Sequence, residues 1–459
     1  MELNAISGFN PWWTDSSFRF SEEGIVNRPV MDKFDKYIDV PQIISVLGLR
    51  RSGKTTILKH YINKLLNAGN IPDKIFFFSF EDYLGKNEPE ILESIINTYL
   101  NKYLQEDIYQ IKDKLYIFLD EIQYIEHWQD ILKRFYDKNK NIKFIISGSF
   151  SAVIKRKSTE SLAGRIFEIT VPLFSFYEYC LLKNAPINFK PLLIKEALNI
   201  TTIGLNDIDK IQQLYGDKIE PLYNEYLYKG QFPEAALFHE EDLVVNYIRG
   251  SILKKVLTED APKVFKIDKI GEFSSLYKII SKETGSLFEL LNLAREVGIN
   301  KDTLNNYLYY LDHLFLLKLI YNYTGKVRKQ YRIQKKIYIA SPNFTCNELN
   351  ISCNSSSFPM ILGPLVETVV FQLLNNQYRE IFFWKQRQKE VDFIIEDQDK
   401  IIPIEVKYVN KILPRHLSNL VYFMKRNELH LGLVATKNKA GITFIEDRKI
   451  IFIPVWALL

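Results

Sequence analysis

The chain has little of what would staple it, anchor it or commit it to one charge. Three cysteines occur in 459 residues, Cys180, Cys346 and Cys353, and none forms a CxxC pair. That gives no support to a disulfide framework or a cysteine-based zinc site. The opening MELNAISGFNPWWTDSS has no basic segment leading into an apolar one. No apolar run approaches the roughly 18 residues that a membrane span needs. The expectation is a cytoplasmic protein with no membrane partner. No repeat period and no long low-complexity linker stand out. The net charge of +5 is mild, so it permits nucleic-acid contact without demanding it. At about 150 residues per domain the length suggests about three domains.

What is present begins with IISVLGLRRSGKTTILKHYINKLL, residues 43–66. An apolar strand runs into GxxxxGK[ST] and then into an amphipathic helix, the context that a P-loop requires. Glycines let the backbone wrap phosphate oxygens, while loop amides and the helix N-terminus supply positive potential. Gly48, Arg50, Arg51, Ser52, Gly53 and Thr56 are the expected nucleotide cradle. Lys54 is expected to reach the β- and γ-phosphates, and Thr55 to ligate Mg²⁺.

A P-loop needs an acid at the end of a neighbouring strand. KLYIFLDEIQYI supplies it, since the apolar run 115–119 delivers Asp120 and Glu121 to the C-terminal edge where parallel sheets bind ligands. Asp120 is expected to hold Mg²⁺, and Glu121 to orient or deprotonate the attacking water. Further strands are expected at 74–80, 141–147 and 166–171. The strand at 141–147 runs into Ser147-Gly148-Ser149, which reads either as hydroxyls beside the γ-phosphate or as a turn. Arg165 reads either as a finger reaching a neighbouring subunit's nucleotide or as a surface charge.

NPWW near residue 11, GLRRSGKTT, FLDEIQ, SGSFS, LAGR and GQFPE occur in this order. Together they resemble the archaeal and bacterial AAA-type P-loop ATPases with a fused C-terminal PD-(D/E)XK-like domain. The likeness is spread over nearly the whole chain. It implies ATP and Mg²⁺ roles for Lys54, Thr55, Asp120 and Glu121, a finger role for Arg165, and helical lid segments around 173–260. One departure stands out. Family members often carry an aspartate in the segment matching KKIYIASPNF, where this chain has Ala340-Ser341-Pro342.

SLFELLNLAREVGINKDTLNNYLYYLDHLFLLKLI, residues 286–320, has apolar residues at helical spacing in two blocks. Gly298 separates them and Asn300 suits the N-cap of the second. Leu290, Leu293, Val297, Leu304, Leu308 and Leu311 form the expected seam. Alternation around 317–339, with Gly325 in the turn, predicts a β-wing and so a winged helix. Lys326, Arg328, Lys329, Arg332, Lys335 and Lys336 make that wing basic. It suits either a phosphate backbone, with Lys301, Thr303 and Asn306 near a groove, or a protein contact.

From about residue 360 the pattern reads helix, three strands, helix, strand, the core order of PD-(D/E)XK nucleases. Glu405 and Lys407 are two apart on one strand and share a face. Asp392 lies roughly opposite, but a one-residue slip of the hairpin reverses its face. Glu367 on the preceding helix offers a third carboxylate. Glu367, Asp392 and Glu405 are the candidate ligands of a second divalent ion, Mg²⁺ or Mn²⁺, with Lys407 as the catalytic cation.

The expected fold class is α/β. It comprises an AAA-type P-loop ATPase core (1–172), a helical lid and connector (173–260), a winged-helix domain (261–340) and a PD-(D/E)XK nuclease-like domain (341–459). The expected function is an ATP-hydrolysing protein acting on DNA, with Arg165 joining homo-oligomer neighbours. The alternative is a nucleotide-switched regulator or scaffold with a silent nuclease fold.

Overall fold

A computed structural model describes residues 2–22, 24–83, 90–149, 162–324, 334–397 and 400–458. Two compact units emerge, one of residues 1–172 with 313–315, the other of 173–312 with 316–459.

The first unit is built on five parallel strands, β1 (Ile43–Leu47), β2 (Ile75–Ser79), β3 (Leu115–Asp120), β4 (Ile142–Gly148) and β5 (Ile166–Thr170). Their order across the sheet is β2-β3-β4-β1-β5. β1, β3 and β4 are buried throughout, as their near-continuous Ile, Leu and Phe runs require when helices cover both faces. Helix α1 (Lys54–Asn67) lies on one face and α2 (Trp128–Lys138) on the other, each with its own apolar cluster. β4 sits between the P-loop strand β1 and the acidic strand β3, so the ends of these three strands form one edge.

NPWW has a structural role at the opposite side of that sheet. The Asn10 amide donates to Phe77 O (3.0 Å) and accepts from Phe77 N (2.7 Å). The indoles of Trp12 and Trp13 both donate to Ile75 O at 2.9 Å. The free backbone of edge strand β2 is thereby satisfied by side chains, which removes a pairing hazard.

The second unit holds one nine-stranded sheet of order β13 (Gly441–Ile445), β14 (Arg448–Pro454), β12 (Leu431–Thr436), β11 (Lys400–Lys407), β10 (Lys389–Asp397), β9 (Ile381–Gln386), β7 (Leu317–Asn322), β8 (Lys335–Ile339) and β6 (Leu287–Phe288). Ahead of it, helix α3 (Ile270–Lys282) leads to the short β6 (Leu287–Phe288), then α4 (Leu290–Val297) and α5 (Lys301–His313). Gly298 ends α4 at φ +77°, a left-handed stop that glycine adopts without Cβ strain. Asn300 Oδ1 accepts from Thr303 N at 2.7 Å, capping α5. Leu293, Leu304, Leu308 and Leu311 are buried in the expected seam, with Leu290 and Val297 half-buried. β7 (Leu317–Asn322) and β8 (Lys335–Ile339) pair antiparallel, and β6 pairs with β8. Gly325, Lys326, Arg328, Lys329 and Arg332 lie outside the described residues.

β7 also pairs in parallel with β9 (Ile381–Gln386), making the hairpin part of the C-terminal sheet. Helix α6 (Pro342–Leu349), capped by Ser341, leads to α7 (Phe358–Gln377). Then come β9, β10 (Lys389–Asp397), β11 (Lys400–Lys407), α8 (Ser418–Arg426), β12 (Leu431–Thr436), β13 (Gly441–Ile445) and β14 (Arg448–Pro454). Ser341 thus serves as a helix cap in the KKIYIASPNF segment.

α7 corrects one expectation. It is long and apolar enough, by length and composition, to cross a membrane. Core helices pass the same test, and this one buries Val366, Val369, Val370 and Leu374 while Glu367 and Gln372 engage polar partners.

Candidate nucleotide site and a second charged site

The loop from Gly48 to Gly53 joins β1 to α1. A Cβ on Gly48 would lie 2.7 Å from Val171 O, so the loop closes only around glycine there. Arg51 and Gly53 take positive φ, +64° and +92°, the alternation that turns successive amides toward one point. Arg28 holds the loop from behind, donating to Ser52 O (2.8 Å) and Pro172 O (2.7 Å). No motif spacing marks Arg28, and sequence reasoning missed it.

Lys54 is buried, and its ammonium folds over the loop onto Gly48 O (3.2 Å), Leu49 O (3.1 Å) and Ser149 Oγ (2.9 Å). Thr55 Oγ1 donates to Asp120 Oδ2 at 2.8 Å. Asp120 Oδ1 accepts from Ser147 Oγ, which also accepts from Glu121 N. Ser147 therefore orients the acidic pair. Ser149, two residues on, does the bridging: it accepts from Lys54 and donates to Glu121 at 3.2 Å. Lys54 Nζ is itself 3.9 Å from Glu121. Glu121 stands at φ +55°, and Gln123 donates to its other oxygen.

Burial, and then the charge of Glu121, push Asp120 up to about 6. A divalent cation offsets both effects, so the Thr55 hydroxyl with the Asp120 carboxylate fits Mg²⁺. The remaining expected cradle residues are placed differently. Arg50 turns onto Glu81 (3.1 Å) and the Tyr124 hydroxyl (3.5 Å). Ser52 is buried, whereas Arg51 and Thr56 are exposed.

Arg165 lies at the start of β5, and Ile43, its neighbour across the sheet, starts β1. The P-loop is at the other end of β1, so Arg165 is a strand length from its own P-loop. Its guanidinium clasps Asp137 through two nitrogens, at 3.0 and 3.4 Å.

In the second unit, β10 and β11 pair with Phe393 against Ile404, which sets Asp392 opposite Glu405. A bulge interrupts the β9–β10 register between Val391 and Ile394, a device that re-aims side chains. Lys407 Nζ is 2.5 Å from Glu405 Oε1 and 3.9 Å from Asp392 Oδ2, so all three share a face. Asp392 Oδ2 also accepts from Val406 N at 2.8 Å. Glu405 is buried, and its Oε2 has no hydrogen-bond partner among the described residues. Burial and the Asp392 charge push it up to about 8. The donor set of Asp392 and Glu405, with that orphaned oxygen, fits a divalent ion.

Glu367, the third expected carboxylate, is engaged by strand β8. Its Oε1 accepts from Tyr338 OH (2.5 Å) and from Lys336 Nζ (3.0 Å). Among the described residues, no group of three or more His, Cys, Asp or Glu is arranged to hold a metal ion. Lys336 corrects the reading of the wing: it is buried, 3% exposed, and pairs with Glu367 and with Glu390 (2.7 Å). Lys336 and Tyr338 are two apart on β8, so strand alternation carries the signal that they face the same way.

Residues 40–180 match the AAA domain family. Residues 220–353 match a domain of unknown function (DUF8612), and 362–458 match another (DUF4143). Uncharacterized protein MJ1544 of Methanocaldococcus jannaschii is 26% identical over 396 residues, covering 84% of this chain and 78% of that protein. MJ1637 of the same organism is 30% identical over 318 residues, 67% of this chain and 62% of its own length. An uncharacterized protein of Haemophilus influenzae is 23% identical over 463 residues, 96% and 100% of the two chains. Among solved structures, AMPPCP-bound DnaA from Aquifex aeolicus is 14% identical with a TM-score of 0.26, covering 66% of this chain and 92% of its own. PCH-2 of C. elegans gives 14% and 0.26, covering 51% and 59%. The β2-β3-β4-β1-β5 order, the Gly48–Gly53 loop and the family match all fall in the first unit. The chain therefore carries an AAA-type, ATPase-like P-loop domain over residues 40–180.

Proposed function

We propose that the protein hydrolyses ATP at the edge formed by β1, β3 and β4, and acts on DNA through its second unit. The observation that carries the first part is the meeting of Lys54, Thr55, Asp120 and Glu121 through Ser147 and Ser149. Lys54 neutralises the β- and γ-phosphates. Thr55 and Asp120 hold Mg²⁺, which supplies charge neutralisation on the phosphate oxygens. Glu121 orients the attacking water and takes its proton, held in place by Ser149 and Gln123.

Lys54→Ala is expected to weaken ATP binding by about ten- to a hundredfold, as loss of a charge-assisted contact predicts. Glu121→Gln is expected to keep ATP binding and slow turnover by about 10²–10⁴. Unchanged ATP affinity in Lys54→Ala would remove the P-loop assignment.

For the second unit we read a winged helix followed by a PD-(D/E)XK-like domain. The order α3, β6, α4, α5, β7, β8 supports the former, with Lys301 and Asn306 exposed on α5. Helix α7, three strands, α8 and β12 support the latter, as does the shared face of Asp392, Glu405 and Lys407. Divalent-dependent DNA cleavage that disappears in Glu405→Gln is the expected result. The tie between Glu367 and Lys336 favours a second reading, a nucleotide-switched regulator whose nuclease fold is silent. Absence of cleavage across single-stranded, duplex and branched DNA with Mg²⁺ and Mn²⁺ selects it.

A further inference from the structure

The carboxylates of the second unit divide into two sets with opposite needs. Glu405 is paired with Lys407 through Oε1 at 2.5 Å, but its buried Oε2 has no hydrogen-bond partner among the described residues. Glu367 and Glu390 lie on α7 and β10 and are already neutralised by one buried ammonium, Lys336, at 3.0 and 2.7 Å. Tyr338 secures Glu367 further, and Lys385 secures Glu390 at 2.9 Å. A buried charge pair so satisfied gives up a member only at a cost of several kcal/mol, because the partner is left uncompensated. An orphaned carboxylate oxygen has the opposite preference and gains by meeting a cation.

We infer that Lys336 is a built-in cation that withholds Glu367 and Glu390 from metal coordination, leaving a site for one divalent ion between Asp392 and Glu405. This rests on the reading of the second unit as a metal-site fold. It makes Lys336 a positioning residue supplied by the hairpin strand β8, and it removes Glu367 from the ligands. The class of ligand is a hard divalent cation taken by oxygen donors.

The test counts Mn²⁺ bound to the full nucleotide-free chain by electron paramagnetic resonance, scoring ions lost in Glu405→Gln and, in Lys336→Met, also those lost in Glu367→Gln. One such ion in the wild type and two in Lys336→Met is the expected result, with the added ion removed again by Glu367→Gln. One ion in both proteins overturns the role of Lys336 and leaves the metal-site reading standing. No ion in the wild type but one or more in Lys336→Met overturns that reading for the native site and supports the withholding by Lys336. No ion in either overturns both. Should Lys336→Met fail to fold, Glu367→Gln alone decides: Mn²⁺ affinity within twofold of wild type supports the inference, and loss of the ion overturns it.

Discussion

Asp120 shows how a single side chain sets a condition on the nucleotide site. Its carboxyl is held near 6 against an ordinary value of 3.8, first by burial and then by Glu121. The folded chain therefore keeps a proton that the unfolded chain has released between about pH 4 and 6. Over that window this group's contribution to stability falls as pH rises, and above 6 the buried charge costs up to roughly 3 kcal/mol. Asp120→Asn is expected to be the more stable protein at pH 7 without nucleotide, with the falling slope gone from its melting curve series. An unchanged slope would show that the charge is not penalised. Arg28 acts at the same scale from behind the loop. Arg28→Ala removes donors from Ser52 O and Pro172 O and is expected to weaken ATP binding by about tenfold, measured by calorimetry.

Among elements, β2 is the informative one. Its KIFFF run makes it a strand on sight, but nothing in the run tells that it is an edge. Asn10 makes that edge tolerable by meeting both backbone groups of Phe77. Asn10→Ala leaves a buried N–H and C=O without partners, an expected loss of roughly 2–4 kcal/mol read from the denaturant midpoint. Strand existence and the acid at the end of β3 were legible, because apolar runs and their terminating charges are local. β8 was half legible. Its alternation predicts a strand, yet its lysines read as a basic wing surface, and the structure buries Lys336 against carboxylates from α7 and β10. Sequence composition marks a charge without marking its partner.

Arg165 immediately precedes β5, a strand length from its own P-loop, and holds Asp137. A finger role therefore requires a neighbouring copy. Mixing Arg165→Ala, which keeps its nucleotide site, with Lys54→Ala, which keeps its Arg165, is expected to recover ATPase activity lost in either alone. No recovery at any ratio removes the finger. A net charge of +5 is modest, so the proposed DNA binding would have to come from local clusters. The expected signature is an affinity falling linearly with salt on logarithmic axes, at about one unit of slope per phosphate contacted. A flat response removes the nucleic acid and leaves the regulator reading.

The sequence by itself determined the phosphate loop, the acidic pair that follows β3, and the face shared by Glu405 and Lys407. Each depends only on spacing along one strand, loop or helix, where backbone geometry dictates direction. The tertiary structure alone decided that Asp392 faces Glu405 and Lys407, because register in a hairpin is chosen by long-range packing. It also decided that Glu367 belongs to Lys336, across 31 residues of chain. Buried charges are matched by whichever elements the core brings together, and no local pattern records that choice.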